Sequence, residues 1–291
     1  MAALARQIAA ELAARVDPRV AAFAAHIATG HAASARAVLF YGSCLRTTEL
    51  DGQMLDFYLI VSDYEAAYGK GWLARANRRL PPNVFPHEHD DLMAKVAVLS
   101  EADFARLCST EARDVSVWAR FAQPVRLAWC ADAAARAAVE AAVADAPRTL
   151  IAATLARFPE ERDPLELFRK GFTLTYGAEL RAERGDRPGS VVDFDPNYYA
   201  ATGAAILASG VEPMAEDGEA LWRGFRRRGK MLTLLRLAKA SFTYAGGIDY
   251  LAWKINRHAG TKIEVKPWQR RWPLVAALFL LPRLLRSGAV R

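Results

Sequence analysis

Two short stretches near the front of the chain decide the fold: FYGS at residues 40–43 and MLDFYLIV at residues 54–61. Residues 37–41 form an apolar run ended by a Gly-Ser pair, which predicts a strand that stops at a turn. Residues 55–61 form a second apolar run, which predicts a second strand. One carboxylate, Asp56, lies close to its start. The sequence therefore predicts a strand, a tight turn and a strand that bears an acid.

The turn and the acid together have the chemistry of a site for phosphate and metal. Backbone N–H groups at Gly42 and Ser43, with the serine hydroxyl, can bind phosphate oxygens. A strand carboxylate such as Asp56 can hold Mg²⁺ against the phosphates of a nucleoside triphosphate. Strands are depleted in Asp, and burying an unpaired carboxylate is costly. The alternative is an edge strand on which Asp56 faces water.

The order of motifs resembles one family of nucleotidyltransferases. YGS at 41–43, QMLDF at 53–57 and VSD at 61–63 resemble the Tam41-type phosphatidate cytidylyltransferases, whose pattern is a YGSG turn followed by an acidic strand. The resemblance, to a bacterial member, extends at low identity over most of the chain. It implies Mg²⁺-dependent transfer of a cytidylyl group from CTP to phosphatidate, which gives CDP-diacylglycerol and pyrophosphate. Three further stretches resemble the family: 91–100, 119–126 and 172–199.

The chain departs from the expected pattern at two positions. Cys44 stands where the family has the second glycine of its turn, so the backbone has less freedom there. Many nucleotidyltransferase strands read D-x-D, with two carboxylates on one face, but the second position here is Tyr58. The members compared with this chain also lack that second acid. A second metal ligand is left open among four candidates: Asp51, Asp63, Asp91 and Glu88.

Four cations extend the predicted site. Lys95 lies in a predicted strand and would bind phosphate opposite Asp56; the alternative is an edge lysine with its ammonium in water. Arg46 could reach a triphosphate as a planar donor, or it could be a solvated turn residue. The resemblance places Arg120 and Arg126 near the nucleotide, with ordinary surface charge as the alternative. The predicted site residues are Asp56 and Lys95 for catalysis, Asp56 for Mg²⁺, and Tyr41, Gly42, Ser43, Arg46 and Arg120 for the nucleotide.

A second polar run is ambiguous. His87-Glu88-His89-Asp90-Asp91 contains metal-ligand residue types, but zinc sites need three or four convergent ligands. A short polar loop after Pro81-Pro82 explains the run equally well. Whether this segment binds metal is therefore left open.

Positive charge is concentrated at the end of the chain. Residues 221–291 hold 16 Lys and Arg against 2 Asp and Glu, whereas the first 220 residues hold 23 against 30. The basic part includes RRRGK at 226–230, and Trp and Arg residues flank the apolar run 274–281. Such asymmetry points to an anionic partner. The resemblance makes CTP, phosphatidate and an anionic membrane surface the expected partners, with no stable nucleic acid.

The resemblance, together with composition and apolar patterning, sets the expected architecture and location. The fold class is α+β: a nucleotidyltransferase-type mixed sheet with flanking helices over residues 1–147, a mostly helical domain over 148–260, and a basic, apolar membrane-associating tail over 261–291. Residues 1–36 are expected to form an N-terminal helix. Strands are placed at 37–41, 55–61, 92–99 and 125–129. Three widely spaced cysteines give no disulfide framework, and no apolar run reaches the roughly 20 residues that span a bilayer.

These features predict a cytoplasmic protein associated peripherally with the inner membrane. Two other functions remain open. The chain could be a nucleotidyltransferase with a soluble or nucleic-acid acceptor. It could also be a catalytically decayed module of the same fold that binds RNA or a protein partner.

Overall fold

A computed structural model describes residues 2–179 and 188–243. The sheet has five strands in the order β3-β4-β2-β1-β5. The β2–β4 pair is parallel and the other neighbours are antiparallel. The expected α+β class, with a mixed sheet, flanking helices and a helical part, is confirmed. The elements are α1 (Ala2–Ala13), α2 (Pro18–Thr29), β1 (Ala35–Tyr41), α3 (Ser43–Thr47), β2 (Met54–Val61), α4 (Tyr64–Tyr68), α5 (Trp72–Arg79), β3 (Asn83–His89), β4 (Leu92–Ser100), α6 (Glu101–Cys108), α7 (Trp118–Phe121), β5 (Arg126–Cys130), α8 (Ala133–Arg157), α9 (Pro164–Ala178), α10 (Pro188–Phe194), α11 (Pro196–Ala208) and α12 (Gly218–Thr243).

Each face of the sheet is covered by its own apolar cluster. Side chains alternate between the two faces along a strand, so Phe57 and Leu59 of β2 pack with Phe23 of α2 on one face. Tyr58 and Ile60 point to the other face, where α6, α7 and α8 cover them. The second cluster continues without a break into the helices that follow, as far as α12. The sheet and the helical part thus share one core.

The structure corrects the expectation of a single helix over residues 1–36. The chain forms two helices there, because Pro18 cannot continue a helix from the preceding turn. Asp17 caps the second helix by accepting a hydrogen bond from the backbone N–H of Arg19. The four predicted strands are present, with ends that differ by one or two residues. The domain boundary near residue 147 stays a prediction; Pro147 itself is buried inside α8.

Residues 83–89 form a strand that the sequence pattern does not predict. β3 is an edge strand whose backbone pairs with β4 from Asn83↔Val98 to His89↔Leu92. Its polar side chains and Pro86 suit an edge position, where only one side of the backbone must be paired. The predicted polar loop is therefore reduced to the turn at Asp90 and Asp91.

The described residues include no helix that could span a membrane. Within 2–179 and 188–243, no helix combines the length and apolar character needed to cross a bilayer. The predicted membrane-associating tail, 261–291, lies outside the described residues, as do the last part of the predicted helical domain and residues 180–187 of the family-like stretch 172–199.

Candidate active site

Asp56 and Lys95 are brought together by strand register. They are direct partners in the parallel β2–β4 pair, so their side chains lie on the same face of the sheet. The Lys95 Nζ atom is 2.8 Å from Oδ1 of Asp56, and the two side chains are 27% and 22% exposed. Both strands lie inside the sheet. The edge-strand alternatives for these two residues are therefore wrong.

The Gly42 turn lies directly against the Asp56 carboxylate. Gly42 has φ +93°, a backbone conformation that favours glycine. A Cβ atom at this position would be 2.9 Å from Oδ2 of Asp56. The neighbouring Tyr41 is the antiparallel register partner of Asp56, and Ser43 is exposed at the start of α3. The turn and the acidic strand thus form one compact corner.

Cys44 is a packing residue in this corner. It lies within α3, where the backbone is helical and needs no glycine, which explains how the turn accommodates a departure from the family pattern. The thiol is 4% exposed, and its Sγ atom is 3.7 Å from the carbonyl oxygen of Met54. Burial, reinforced by the nearby Asp56 charge, raises the pKa of the Cys44 thiol. A reactive thiolate is therefore disfavoured.

Tyr41 connects the corner to the core. Its ring centroid is 5.3 Å from that of Tyr58 and 5.9 Å from that of Phe121. Burial raises the pKa of the Tyr41 phenol well above its ordinary value, and the Asp56 carboxylate adds to this effect. The phenol is thus a neutral hydrogen-bonding group beside the acid. Tyr58 occupies the place of the absent second carboxylate and fills the core there, at 3% exposure.

The two predicted nucleotide-binding arginines are held by other residues. Arg46 donates from Nη1 to Oε1 of Gln123 at 3.3 Å. Arg120 donates from Nη1 to the Glu179 carboxylate at 3.2 Å and to a backbone carbonyl of its own segment. Burial works against the charged guanidinium, but Glu179 outweighs it and raises the pKa of Arg120 above its ordinary value. Arg120 therefore ties α7 to the end of α9, and its nucleotide role stays a prediction.

Arg126 also joins two elements rather than standing at the surface. Its Nη1 atom forms an ion pair with Glu11 of α1, and its side chain is only 19% exposed. Its backbone is paired with Phe40, next to Tyr41 in β1. Ordinary surface charge is therefore the wrong description. Arg126 holds the first helix against the strand end that leads into the Gly42 turn.

Among the described residues, the four candidates for a second metal ligand form no three-ligand group with Asp56. Asp51 is 83% exposed and forms an ion pair with Arg19 at 2.7 Å, while Asp63 caps α4. Asp91 is exposed in the β3–β4 turn. Glu88 shares the face of Lys95, because it pairs with Met93, but it is on the edge strand. Within the described parts of the chain, no group of three or more His, Cys, Asp or Glu residues could hold a metal ion.

The donor set at the corner fits one kind of magnesium site. Mg²⁺ is commonly bound through one or two carboxylates, with substrate phosphates supplying other ligands. Asp56 offers one carboxylate, whose Oδ2 atom faces the Gly42 backbone. The residues therefore fit Mg²⁺ that arrives with a triphosphate, and they do not form a site for the free ion.

The histidines of β3 belong to packing on the opposite face. His89 stacks on His26 of α2 with ring centroids 4.4 Å apart and an interplanar angle of 14°. Burial lowers the pKa of His87, and the neighbouring His31 and His26 lower it further. A neutral imidazole at His87 suits its half-buried position. The described residues give no metal group here.

Sequence reasoning missed the groups that hold the site from a distance. Glu179 and Gln123 fix the two arginines. A second carboxylate–cation pair joins the segment before α7 to α12: Asp114 and Arg236 are 3.3 Å apart, with side chains 6% and 18% exposed. The sequence gives one signal for such pairs, a charged residue within an otherwise apolar stretch. It does not identify the partner.

Comparison with known proteins leaves the family open. No protein-family model matches the chain, and no curated protein matches it. A solved structure described as a nucleotidyltransferase-like protein from Exiguobacterium sibiricum is similar at a TM-score of 0.30 and 12% identity, over 92% of this chain and 91% of that one. A likeness at that TM-score establishes neither a shared fold nor a shared function.

Proposed function

We propose that this protein is a nucleotidyltransferase that transfers a cytidylyl group from CTP to phosphatidate, with release of pyrophosphate. One observation carries the proposal: the Asp56–Lys95 pair lies directly beneath the Gly42 turn. A carboxylate, an ammonium and a Gly-Ser turn that is exposed at Ser43 lie within one corner, and together they match the needs of a triphosphate. Catalysis of phosphoryl and nucleotidyl transfer consists mainly of positioning and electrostatic stabilisation.

Each group at the corner has a distinct task in this proposal. The backbone N–H groups at Gly42 and Ser43, with the Ser43 hydroxyl, bind the β- and γ-phosphates. Asp56 would hold Mg²⁺, which when bound would neutralise phosphate charge. Lys95 then exchanges its contact with Asp56 for phosphate oxygens and offsets the charge that develops on the leaving pyrophosphate. Tyr41, as a neutral phenol, can donate a hydrogen bond without adding negative charge.

The acceptor needs little activation if it is a phosphomonoester. Its phosphate is already an anion at neutral pH, so its oxygen can attack the α-phosphorus of CTP without a strong general base. The Asp56 carboxylate is paired with Lys95 and is assigned in this proposal to the metal, not to the role of a base. The motif resemblance and the basic last part of the chain support phosphatidate as the acceptor. Arg46 and Arg120 are proposed to contact the nucleotide only after releasing part of their present partners.

A second candidate function has one observation in its favour. Lys95 already pairs with the Asp56 carboxylate, and among the described residues no group of three or more His, Cys, Asp or Glu residues could hold a metal ion there. These features are also expected of a module that still binds a nucleotide but no longer catalyses transfer. Such a module would bind CTP and release no pyrophosphate.

A panel of donors and acceptors tests the proposal on the full chain. Pyrophosphate release would be measured with each of the four ribonucleoside triphosphates and Mg²⁺, in the presence of dispersed phosphatidate, glycerol 3-phosphate or a short RNA. We expect release with CTP and phosphatidate, together with formation of CDP-diacylglycerol. Turnover only with glycerol 3-phosphate or RNA would show that the acceptor is a soluble molecule or a nucleic acid, and not a lipid. Binding of CTP without turnover on any acceptor would favour the decayed module.

A further inference from the structure

The outward face of α12 changes from basic to apolar along its length. Its exposed residues recur at spacings of three and four, the repeat of one helix face. Met231, Leu234 and Leu235 are 53%, 41% and 48% exposed. We call this surface the α12 stripe. It consists of Arg223, Arg227, Lys230, Met231, Leu234, Leu235 and Leu237.

The opposite face of α12 is firmly attached, which fixes the stripe toward the outside. Trp222 is fully buried and donates from Nε1 to the Ala153 carbonyl at 2.8 Å. Further along, Arg236 donates to the Pro81 carbonyl at 2.8 Å and pairs with Asp114. Lys239 donates to the carbonyl of Pro82 at 2.7 Å. The stripe therefore cannot turn inward without breaking these bonds.

The apolar part of the stripe is a cluster rather than scattered exposure. Of the seven large apolar side chains that are exposed in the described residues, four lie between Met231 and Leu237. Isolated exposed apolar residues are normal on soluble proteins, but a contiguous patch marks an interaction surface. The exposed apolar cluster of the stripe therefore indicates a surface that binds a partner.

The basic part of the stripe differs from the neighbouring arginines. Arg226 forms an ion pair with Glu219 at 3.2 Å, and Arg228 donates to the Arg113 carbonyl at 2.9 Å. The run at 226–230 is therefore divided, and it is not one open patch. Arg223, Arg227 and Lys230 lie exposed on the same face as the apolar residues. No acidic residue follows Glu219 within α12.

We propose that the α12 stripe docks on an anionic membrane surface. Arg223, Arg227 and Lys230 would meet lipid phosphates, and Met231, Leu234 and Leu237 would enter the boundary between headgroups and acyl chains. This arrangement is typical of interfacial helices, in which basic residues contact lipid headgroups and apolar residues contact acyl chains. A nucleic acid is a poorer occupant, because the stripe contains no aromatic side chain on which a base could stack.

The attached face of α12 connects to the strand next to the candidate active site. Lys239 binds the carbonyl of Pro82 immediately before β3, and Pro86 of the same strand pairs with Lys95. Four residues of strand span about 13 Å. A docked α12 would therefore bring the Asp56–Lys95 corner near the lipid surface. Only the link to a lipid acceptor rests on the proposed function; docking itself does not.

Vesicle binding by the full chain tests the proposal without any nucleotide. Binding would be measured by flotation with vesicles of phosphatidylcholine alone and of phosphatidylcholine mixed with phosphatidylglycerol. The double variant R227Q/K230Q should bind the anionic vesicles about thirtyfold more weakly than the unaltered protein, since each basic residue near an anionic leaflet contributes a factor of roughly five. The double variant L234S/L237S should lose about tenfold or more.

Matched variants separate the stripe from general effects. R6Q/R15Q removes two exposed charges, one in α1 and one just after it, and W72S removes an exposed apolar side chain from α5; both should bind like the unaltered protein. Thermal unfolding confirms that every variant is folded. Equal binding by stripe and control variants would overturn the proposal, as would equal binding to both kinds of vesicle. Loss of a dimer in the stripe variants, with vesicle binding unchanged, would assign the surface to a second copy instead.

Failure of this proposal is distinguishable from failure of the proposed function. Vesicle binding uses phosphatidylglycerol and no CTP, so it does not depend on catalysis. Conversely, turnover of detergent-dispersed phosphatidate requires no docking. A stripe variant that turns over dispersed lipid normally but fails on vesicles would show that the stripe acts in docking alone.

Discussion

Two carboxylate–cation pairs in this molecule differ in how completely they are enclosed. The Asp56–Lys95 pair is joined at 2.8 Å, and each side chain keeps about a quarter of its surface exposed, at 22% and 27%. The Asp114–Arg236 pair is 6% and 18% exposed. Ser116 also donates to Asp114 through its backbone N–H at 3.0 Å. The first pair is open to a ligand and the second is closed by protein.

The difference in exposure distinguishes an ion pair that can bind a ligand from one that is structural. Burial alone would raise the pKa of Asp114, but Arg236 and Ser116 outweigh it and lower the pKa below its ordinary value. That carboxylate is fully used in holding α12 to the segment before α7. Asp56 has an oxygen facing the Gly42 turn, where a ligand could replace part of its present environment. Ion pairs with similar composition can therefore be assigned to different tasks by their enclosure.

The largest expected effect is on activity at the open pair. Replacing Asp56→Asn should lower cytidylyl transfer about 10³-fold or more, because the amide cannot hold Mg²⁺ as the carboxylate does. Thermal unfolding should change little, since the side chain keeps its shape. Steady-state pyrophosphate release measures the first effect. Glu49→Gln, which removes an exposed carboxylate between α3 and β2, serves as control and should retain activity; equal turnover by Asp56→Asn and Glu49→Gln would refute the assigned role.

The closed pair should show the reverse behaviour. Replacing Asp114→Asn leaves the Arg236 charge largely enclosed without its carboxylate, and breaking such a pair costs about 3–5 kcal/mol of unfolding free energy. Urea unfolding measures the loss, and activity per folded molecule should be unchanged. The exposed pair Glu65–Arg78 provides a control, because Glu65→Gln should cost less than about 1 kcal/mol. A smaller loss at Asp114 than at Glu65 would contradict the comparison.

Lowering the pH should remove the stability that the Asp114–Arg236 pair contributes. Because the pKa of Asp114 is lowered in the folded protein from 3.8, its contribution to stability is complete above the unfolded pKa and is lost as the pH falls through the folded pKa. The stability difference between the unaltered protein and Asp114→Asn should therefore be constant above about pH 5 and shrink below about pH 4. Urea unfolding over this range measures it. A difference that grows in acid would show that the sign is wrong.

Lys95 should affect activity less than Asp56 does. Lys95→Gln removes one stabilising charge, and loss of a single such group costs about 10²-fold in turnover. Lys95→Arg keeps the charge and should retain more activity than Lys95→Gln. The matched pair distinguishes a charge effect from loss of packing. If both variants keep full turnover and CTP affinity, Lys95 serves only to neutralise Asp56.

The sequence predicts the open corner better than the closed pair. Apolar runs interrupted by Asp56 and Lys95 mark two strands and two candidate site residues, and the Gly42 turn lies in the same stretch. The parallel register that joins Asp56 to Lys95 is set by neighbouring strands, and no local pattern contains it. Asp114 and Arg236 lie 122 positions apart, so only the folded chain reveals them as partners.

The strand β3 and the break in the N-terminal helix are also not predicted from local sequence patterns. β3 is polar and contains Pro86, so its own composition favours a loop; pairing with β4 outweighs that preference. Pro18 is a visible signal for a break in the N-terminal helix, and the apolar periodicity of residues 4–16 conceals it. Local sequence patterns thus predict elements whose residues strongly favour one secondary structure. Elements without such a preference, such as β3, form through long-range pairing.

The smallest expected effect tests the contact between turn and acid most directly. Gly42→Ala should destabilise the fold by about 1–2 kcal/mol, because φ is +93° there and the new Cβ would be 2.9 Å from Oδ2 of Asp56. Gly52→Ala is the matched control: φ is +67°, and nothing lies within 4 Å of the new Cβ. Both variants carry the backbone cost, but only Gly42→Ala displaces the carboxylate. Urea unfolding should therefore show a loss in both, and pyrophosphate release should fall in Gly42→Ala alone; an equal effect on turnover would mean that the turn does not position Asp56.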